Sequence, residues 1–490
     1  MRVSFRAAAL TAALLLSLVL PAQADDATLT ARGGGLSVSG RLVTYDGTHY
    51  RIDTTWGRLT VDAAAVECVG PGCPDLMQFV PEWRVAAEPW LADRVLRPLA
   101  AGFAAAEGLD LTVPDRDTLD LAHKGRVVLR LRLLALSGSP DPVLAAGGAD
   151  SALGVPGPGQ APGPLVARLP LVLASAPDAP PGPLPRDALR AARGDPDPTW
   201  AALGQAGRPL VWHSLPPGTT LDRATTAALG PARGALRRAT DPAALADALR
   251  TDPWGLSLLP SPPPEGVKAR AMVTPCGLTA DLSDFAAAAG AHPLTLALHW
   301  IPGKGRTPPL ARDFAAWTAG PAAQRLLAAS GVPAPAAALR RPMAAQGQRL
   351  ANALAAARTG PALEALRAGL ARLDGAEQLA TSFRFDPRSG ALDAAAQSAL
   401  ADLSDHLASG ALTGYEILLV GLTDAEQPAA EGLARAKAVL TALRDATPDL
   451  PATTTLAALG LGAILPLDCD DTAEGRHLNR RVEVWARPNH

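Results

Sequence analysis

The sequence begins with an apolar run, and this run determines the compartment in which the rest of the chain has to fold. Residues 7–20 are apolar, Arg2 and Arg6 precede them, and the small residues of an A-x-A cleavage site end at Ala24. The pattern is typical of a secretory signal peptide over residues 1–24. An uncleaved membrane anchor is the alternative. We therefore expect an exported protein that folds under oxidising conditions.

The composition and the missing motifs exclude several classes of function. The formal net charge is -2, which gives no electrostatic reason to expect a nucleic-acid partner. No later stretch of the sequence is long and apolar enough to cross a membrane. The sequence contains no nucleophile elbow, no His-Glu-x-x-His pair, no P-loop and no metal-ligand cluster. We expect a protein that is not an enzyme, with no catalytic residues, no metal site and no cofactor.

The four cysteines are placed in two different ways. Cys68 and Cys73 enclose Val-Gly-Pro-Gly, a turn-forming loop that favours a local disulfide over a metal site, because no further ligands lie close by. Cys276 and Cys469 lie far apart in the sequence. They either pair with each other or are buried free thiols, and the sequence leaves both alternatives open.

Hydrophobic periodicity predicts a multidomain protein of mixed α/β and α+β class. Residues 25–82 alternate apolar and polar side chains around a hairpin turn, which indicates a small antiparallel β-meander. Residues 83–334 alternate strands and helices, as in an α/β domain with a buried sheet. Residues 335–377 are helical and form either a spacer or the end of the α/β domain. Residues 378–490 follow the order strand, helix, strand, helix, strand, which predicts a compact α+β domain.

Three motifs follow one another in the last of these segments. A buried strand ends in Gly421-Leu-Thr423-Asp424, a helix begins around Arg435, and Gly475-Arg-x-x-Asn479-Arg-Arg481 leads into the final strand. The ordered set resembles the OmpA-like peptidoglycan-binding domain. The resemblance implies a site for the diaminopimelate of the stem peptide, which carries an ammonium and a carboxylate on one carbon. The residues implied for peptidoglycan binding are Thr423, Asp424, Arg435, Asn479 and Arg481.

In this resemblance Asp424 binds the ammonium and Arg435 holds the carboxylate in a bidentate fork. Arg480 or Arg481 supports the edge of the pocket, or one of them forms a structural ion pair with Asp393 or Glu483. The sequence departs from the family at Leu422, where a histidine is usual, and the loop from Asp424 to Arg435 is shorter than the family norm. Both departures predict either a reduced affinity or a degenerate relative of the family that only packs.

The α/β segment resembles periplasmic substrate-binding proteins of the phosphate-binding (PstS-like, type 2) kind. The resemblance rests on a helix from Leu91, on Gly147-Gly-Ala-Asp150, on Pro217-Gly218-Thr219-Thr220 and on Asp252-Pro-Trp-Gly-Leu. It implies two lobes around a ligand cleft, with the candidate residues Glu88, Gly218, Thr219 and Thr220.

The ligand motifs of this family are altered in the sequence. Glu88 stands where a hydroxyl residue precedes the first helix, and Val155 replaces the expected arginine. We expect Glu88 to act as the capping anion in place of a ligand, so that phosphate binds poorly.

Together these observations predict a periplasmic, cell-wall-associated binding protein, with the outer membrane as a further candidate for contact. Peptidoglycan would be held by the C-terminal domain, and the α/β domain would hold a small anion or another small ligand. An envelope protein is a further candidate partner. The alternatives are an oxyanion receptor of an ABC transporter and an envelope scaffold with no small ligand.

Overall fold

The computed structural model describes residues 26–76, 79–157, 160, 163–292, 294–333, 336–386, 389–448, 450 and 453–489. The predicted signal peptide over residues 1–24 lies outside the described residues. The chain divides into two compact units, residues 1–81 and residues 82–490, which are described separately.

The first unit is an antiparallel β-meander. Its strands are β1 (Ala27–Ala31), β2 (Ser37–Tyr45), β3 (His49–Thr54), β4 (Gly57–Asp62) and β5 (Val66–Val69). They form a sheet in the order β4-β3-β2-β1-β5, around a small core that includes Leu29, Tyr50 and Ile52. The predicted disulfide between Cys68 and Cys73 is present and ties β5 to the turn that follows it. This crosslink adds a covalent constraint to a meander that has little core of its own.

The second unit begins with an α/β domain, residues 82–333, which we call the middle domain. Its strands are β6 (Glu82–Ala87), β7 (Asp110–Asp115), β8 (Thr118–His123), β9 (Arg126–Ala135), β10 (Ser151–Gly154), β11 (Leu165–Ser175), β12 (Leu184–Pro185), β13 (Val211–Ser214), β14 (Leu236–Arg238), β15 (Gly255–Pro260), β16 (Lys268–Arg270), β17 (Met272–Val273) and β18 (Thr295–Pro302). Its helices are α1 (Pro89–Leu91), α2 (Arg97–Ala106), α3 (Asp141–Ala145), α4 (Arg186–Arg193), α5 (Thr220–Leu229), α6 (Pro242–Arg250), α7 (Asp284–Ala288), α8 (Pro309–Trp317) and α9 (Pro321–Ala329).

The main sheet of the middle domain has the order β14-β13-β15-β11-β18-β10-β6-β9-β8-β7. The part built on β6–β10 is called the first lobe, and the part built on β13–β15 is called the second lobe. Strand β11 joins them, because Leu165–Pro170 pairs with β18 and Leu171–Ala174 pairs with β15. Strands β10 and β15 are buried along their whole length, as expected for strands covered on both faces of the sheet.

The C-terminal domain, residues 336–489, is a sheet with helices on both faces. Its elements are β19 (Ala336–Pro342), α10 (Gly347–Ala356), α11 (Gly360–Arg372), β20 (Glu377–Phe383), α12 (Ala394–Ala408), β21 (Tyr415–Leu422), α13 (Ala429–Ala446), β22 (Thr455–Gly462), α14 (Ala473–Asn479) and β23 (Arg481–Pro488). The strand order is β19-β20-β23-β21-β22. Helices α12 and α13 pack on Phe383 and Val484, whereas α11 packs on the other face against Trp485.

The described part of residues 335–377 agrees with neither alternative from the sequence, a helical spacer or the end of the α/β domain. Strand β19 pairs with β20, and α10 and α11 cover one face of the C-terminal sheet. The physical reason is that the Ala- and Leu-rich run has an apolar stripe, which is stable only when it is buried against another element.

Several contacts connect the middle domain to the C-terminal domain. Cys276 and Cys469 form a disulfide, which settles the alternative that the sequence left open. Arg186 donates to Asp468 over 2.5 Å, and both side chains are buried. A disulfide and a buried ion pair at adjacent positions fix the relative placement of these two domains.

Candidate functional site

The N-terminus of α5 forms one wall of the cleft between the two lobes. Thr219 is its N-cap, and the Thr219 hydroxyl accepts a hydrogen bond from the Asp222 amide over 3.4 Å. Gly218 has a φ of +77°, and an added Cβ would lie 2.9 Å from the Cβ of Ser139. The chain therefore makes a tight turn that leaves the first amides of α5 directed towards the first lobe. Such a helix N-terminus favours an anion.

Glu88 supplies that anion from the first lobe. Its Oε1 accepts a hydrogen bond from the Thr220 amide over 2.6 Å, and its Oε2 accepts one from the Trp90 indole over 2.9 Å. The residue is only 5% exposed. The sequence predicted that Glu88 would cap the first helix, but the structure places its carboxylate at α5 of the opposite lobe. The carboxylate therefore joins the two lobes across the cleft.

Arg223 makes a second connection between the lobes, which the sequence analysis did not identify. Its guanidinium donates to the Val155 carbonyl over 2.9 Å, to the Ser139 hydroxyl over 2.8 Å and to the Asp141 carboxylate over 2.7 Å. The side chain comes from α5, so the guanidinium reaches the Val155 region where the family motif would place an arginine. Because all these partners belong to the protein, Arg223 is already neutralised.

A cavity of about 710 Å³ remains in the cleft beside Glu88. Its described charged side chains are three carboxylates and two guanidinium groups, Glu88, Asp93, Asp241, Arg94 and Arg116, which gives a formal charge of -1. A cavity with this charge repels a phosphate ion.

The C-terminal domain places Asp424 at the end of β21, as the motif implies, but the carboxylate is enclosed. Asp424 is 0% exposed, and its Oδ1 accepts hydrogen bonds from the amides of Glu426 and Gln427 over 3.1 and 3.0 Å. Its Oδ2 accepts from the guanidinium of Arg480. The protein therefore provides the cation that a ligand ammonium would have to replace.

Arg435 lies on α13 and does not form an ion pair with Asp424 in the structure. One guanidinium nitrogen donates to the side-chain oxygen of Gln427, and the other terminal nitrogen, Nη1, is buried without a hydrogen-bond partner. Burial lowers the pKa of Arg435, and the neighbouring Arg480 lowers it further. An unpaired buried donor is costly, so this nitrogen is the part of the implied peptidoglycan site that still lacks an acceptor.

The other implied peptidoglycan residues have structural contacts. The Thr423 hydroxyl donates to the Gln427 carbonyl over 3.2 Å. Asn479 holds the loop before α14, because it accepts from the Leu467 amide and donates to the Asp468 carbonyl, each over 2.7 Å.

Arg481 is also a structural residue, and it is fully buried. It donates to Glu483 over 2.7 Å, which is the ion-pair alternative left open by the sequence. Burial lowers the pKa of Arg481 to about 10. Burial would raise the pKa of Glu483, but Arg349 and Arg481 lower it to about 2. The adjacent residues Arg480 and Arg481 point in different directions at the start of β23. Because side chains alternate along a strand, this pattern could have predicted that one arginine contacts Asp424 and the other is buried.

No family model and no curated protein matches this chain. An ABC-type phosphate transport receptor from Vibrio cholerae is 14% identical, with 52% of this chain and 100% of that chain covered and a TM-score of 0.39. A putative phosphate ABC transporter substrate-binding protein from Clostridium perfringens, solved with bound phosphate, is 10% identical over 52% of this chain and 99% of that chain, with a TM-score of 0.38.

A third solved structure is similar to a smaller part of the chain. The periplasmic domain of Helicobacter pylori MotB is 18% identical over 24% of this chain and 76% of that chain, with a TM-score of 0.20. The likeness to phosphate-binding proteins therefore extends over about half of this chain, 52%. The OmpA-like domain and the peptidoglycan site therefore stay predictions from the sequence.

Proposed function

We propose that this chain is an exported binding protein without catalytic activity, in which an internal carboxylate replaces the oxyanion of a phosphate receptor. The observation that carries the proposal is the hydrogen bond from the Thr220 amide to Glu88, which spans the two lobes over 2.6 Å. The lobes are closed by the protein itself and need no phosphate to hold them together. The cleft then serves as a fixed surface, or holds a ligand that is not an oxyanion.

Electrostatics and hydrogen bonding both support the exclusion of phosphate. A phosphate at the N-terminus of α5 would have to displace the Glu88 carboxylate and leave it buried without its backbone donor. Asp222 adds a second carboxylate in the first turn of α5, where it accepts from the Gly218 amide over 2.9 Å. Phosphate loses its hydration when it enters such a site, and the remaining donors are already occupied.

Isothermal titration with inorganic phosphate at low salt tests this proposal. We expect no measurable heat of binding for the wild type and a measurable affinity for Glu88→Ser, which frees the Thr220 amide and removes the competing charge. Asp93→Ser is the matched control. It removes a carboxylate from the same cavity, but this carboxylate does not cap a helix of the opposite lobe. Micromolar binding by the wild type would instead restore the interpretation as a phosphate transport receptor.

A second candidate function is peptidoglycan binding by the C-terminal domain. It is favoured by the buried Nη1 of Arg435, which has no acceptor in the structure. A diaminopimelate carboxylate would supply this acceptor. The ligand ammonium would reach Asp424 only if Arg480 moved away, and the side chain of Arg480 is 35% exposed, so solvent can accommodate it.

Sedimentation of the full mature chain with purified sacculi tests this second function. We expect wild type to sediment, Arg435→Ala to stay in the supernatant, and Arg480→Ala to sediment more strongly because Asp424 becomes available. Arg444→Ala on the exposed face of the same helix is the control. If wild type and Arg435→Ala partition alike, the domain does not bind peptidoglycan through this site.

A further inference from the structure

A cavity of about 390 Å³ lies between the middle domain and the C-terminal domain. Its polar wall includes Arg168 and His292 from the middle domain, and Arg384, Asp393 and His477 from the C-terminal domain. Its volume is within the range of small-molecule sites in proteins. This cavity is separate from the cleft at Glu88 and from the Asp424 region.

The guanidinium groups in this cavity lack partners. Nε and Nη2 of Arg384 are buried and donate to no acceptor of the protein. Within the described residues, neither Arg384 nor Arg168 forms a side-chain hydrogen bond or an ion pair at contact distance. Asp393 is the only described carboxylate in the lining, and its Oδ1 already accepts from the Ala396 amide at the start of α12 over 2.7 Å. Buried cations without partners are rare because they cost free energy.

His292 adds a neutral donor to the same cavity. Its Nδ1 accepts a hydrogen bond from the Leu294 amide over 3.2 Å, so the ring proton is on Nε2. This Nε2 is buried and has no partner. Burial lowers the pKa of His292 to about 4, which keeps the ring neutral at physiological pH. The cavity therefore contains buried donors from two side chains, Arg384 and His292, that the protein does not satisfy, and the half-buried Arg168 adds a third donor group.

We propose that the interdomain cavity binds a small organic monocarboxylate, whose head group is held by Arg168, Arg384 and the Nε2–H of His292. The geometry favours an oxyanion because all three groups are donors and two carry a positive charge. The lining also contains apolar residues, including Ala287, Ala319 and Leu478, which suit a short hydrocarbon body.

The charge of the cavity selects a single negative charge. The described lining carries two guanidinium groups and one carboxylate, so its formal charge is +1 with both histidines neutral. A carboxylate monoanion brings the sum to zero. Inorganic phosphate, which is partly a dianion at neutral pH, would leave an excess negative charge and has no apolar part to fill the remaining space.

Isothermal titration of the full mature chain with hexanoate and, separately, with inorganic phosphate tests the assignment. We expect hexanoate to bind the wild type and to raise its melting temperature. Arg384→Gln and Arg168→Gln should each weaken hexanoate binding about tenfold or more, because each removes a charge-assisted hydrogen bond. Arg367→Gln, an exposed arginine on α11, is the matched control and should leave the affinity unchanged.

Folding of the variants is checked by the melting temperature without ligand. Removing a buried unpaired cation should leave that temperature equal or higher, so a loss of binding by a stably folded Arg384→Gln supports the site. The assignment is overturned if hexanoate does not bind the wild type, if both glutamine variants bind it normally, or if phosphate binds more tightly. Because Glu88 is not part of this cavity, Glu88→Ser should leave hexanoate binding unchanged, which separates failure here from failure of the proposed function.

Discussion

The cleft beside Glu88 and the interdomain cavity beside Arg384 have opposite charge and opposite hydrogen-bond satisfaction. The cleft is the larger, about 710 Å³ against about 390 Å³, and its described charged lining sums to -1 against +1 in the cavity. In the cleft, the amide of α5 is already bonded to Glu88. In the cavity, two nitrogens of Arg384 have no partner.

This difference is the reason why we expect a ligand in the interdomain cavity and not in the larger cleft. In the cleft, hydrogen-bond donors and acceptors of the protein are paired with one another. This pairing stabilises the fold and leaves few free donors for an anion. In the cavity, the unpaired donors destabilise the folded protein. A bound ligand that accepts their hydrogen bonds would restore this stability. The two regions therefore make opposite predictions for the same kind of substitution.

The largest expected effect is the acid sensitivity that His292 gives to the cavity. Its pKa is lowered by burial from 6.5 to about 4, so the unfolded chain takes up the proton first as the pH falls. The contribution of the neutral His292 ring to the free energy of unfolding is complete above pH 6.5 and is lost as the pH falls from 6.5 to about 4. We expect a loss on the order of 3 kcal/mol in the free energy of unfolding over this window.

Urea denaturation of wild type and His292→Asn across this pH range measures the contribution. Asparagine keeps an acceptor for the Leu294 amide but does not titrate, so its unfolding free energy should vary less with pH. His123→Asn, at an exposed position, should follow the wild type. Parallel curves for wild type and His292→Asn would contradict the burial of a neutral ring.

The next largest effect is expected in the cleft, from Glu88→Ala. This change leaves the Thr220 amide and the Trp90 indole without acceptors, and it should lower the free energy of unfolding by about 2 kcal/mol. Hydrogen exchange at the N-terminus of α5 should become faster, because the two lobes lose one of their connections. Glu88→Gln should recover part of the stability, since its amide oxygen still accepts a hydrogen bond. Unchanged exchange in Glu88→Ala would show that the carboxylate does not hold the lobes together.

A smaller effect of opposite sign is expected in the cavity, from Arg384→Leu. Deleting the unpaired guanidinium removes a desolvation cost, so the free energy of unfolding without ligand should rise by about 1 kcal/mol. Burial lowers the pKa of Arg384 to about 10, in agreement with such a cost. Chemical denaturation measures the change, and a decrease in stability would mean that the protein or its solvent compensates the charge.

The smallest effect is expected from Asp393→Asn. Asparagine is as good an N-cap as aspartate, so α12 should remain stable, whereas the formal charge of the cavity rises by one. Hexanoate should then bind about threefold more tightly, since the carboxylate that opposes it has been removed. Titration with hexanoate gives the ratio, and weaker binding would show that Asp393 contacts the ligand through a proton or a bridging water.

The sequence by itself determined much of the architecture. Alternation of apolar and polar residues predicted β2 and β3, and the Asp46-Gly47 turn between them follows because Asp46 accepts from the amides of Thr48 and His49 over 2.9 and 2.7 Å. The mixed α/β character and the local disulfide at Cys68 were equally predictable. These features depend on residues close together in the chain, whose preferences do not need the rest of the fold.

Only the tertiary structure decided which polar groups from distant parts of the sequence meet. Glu88 contacts Thr220, and Arg480 contacts Asp424, although each pair is far apart in the sequence. For residues 335–377, the helical period predicted an apolar stripe but could not predict the sheet against which this stripe packs. Long-range pairing is set by the sum of many packing interactions. A motif therefore predicts where a charge lies on its own element, while the fold decides whether another residue has already neutralised it.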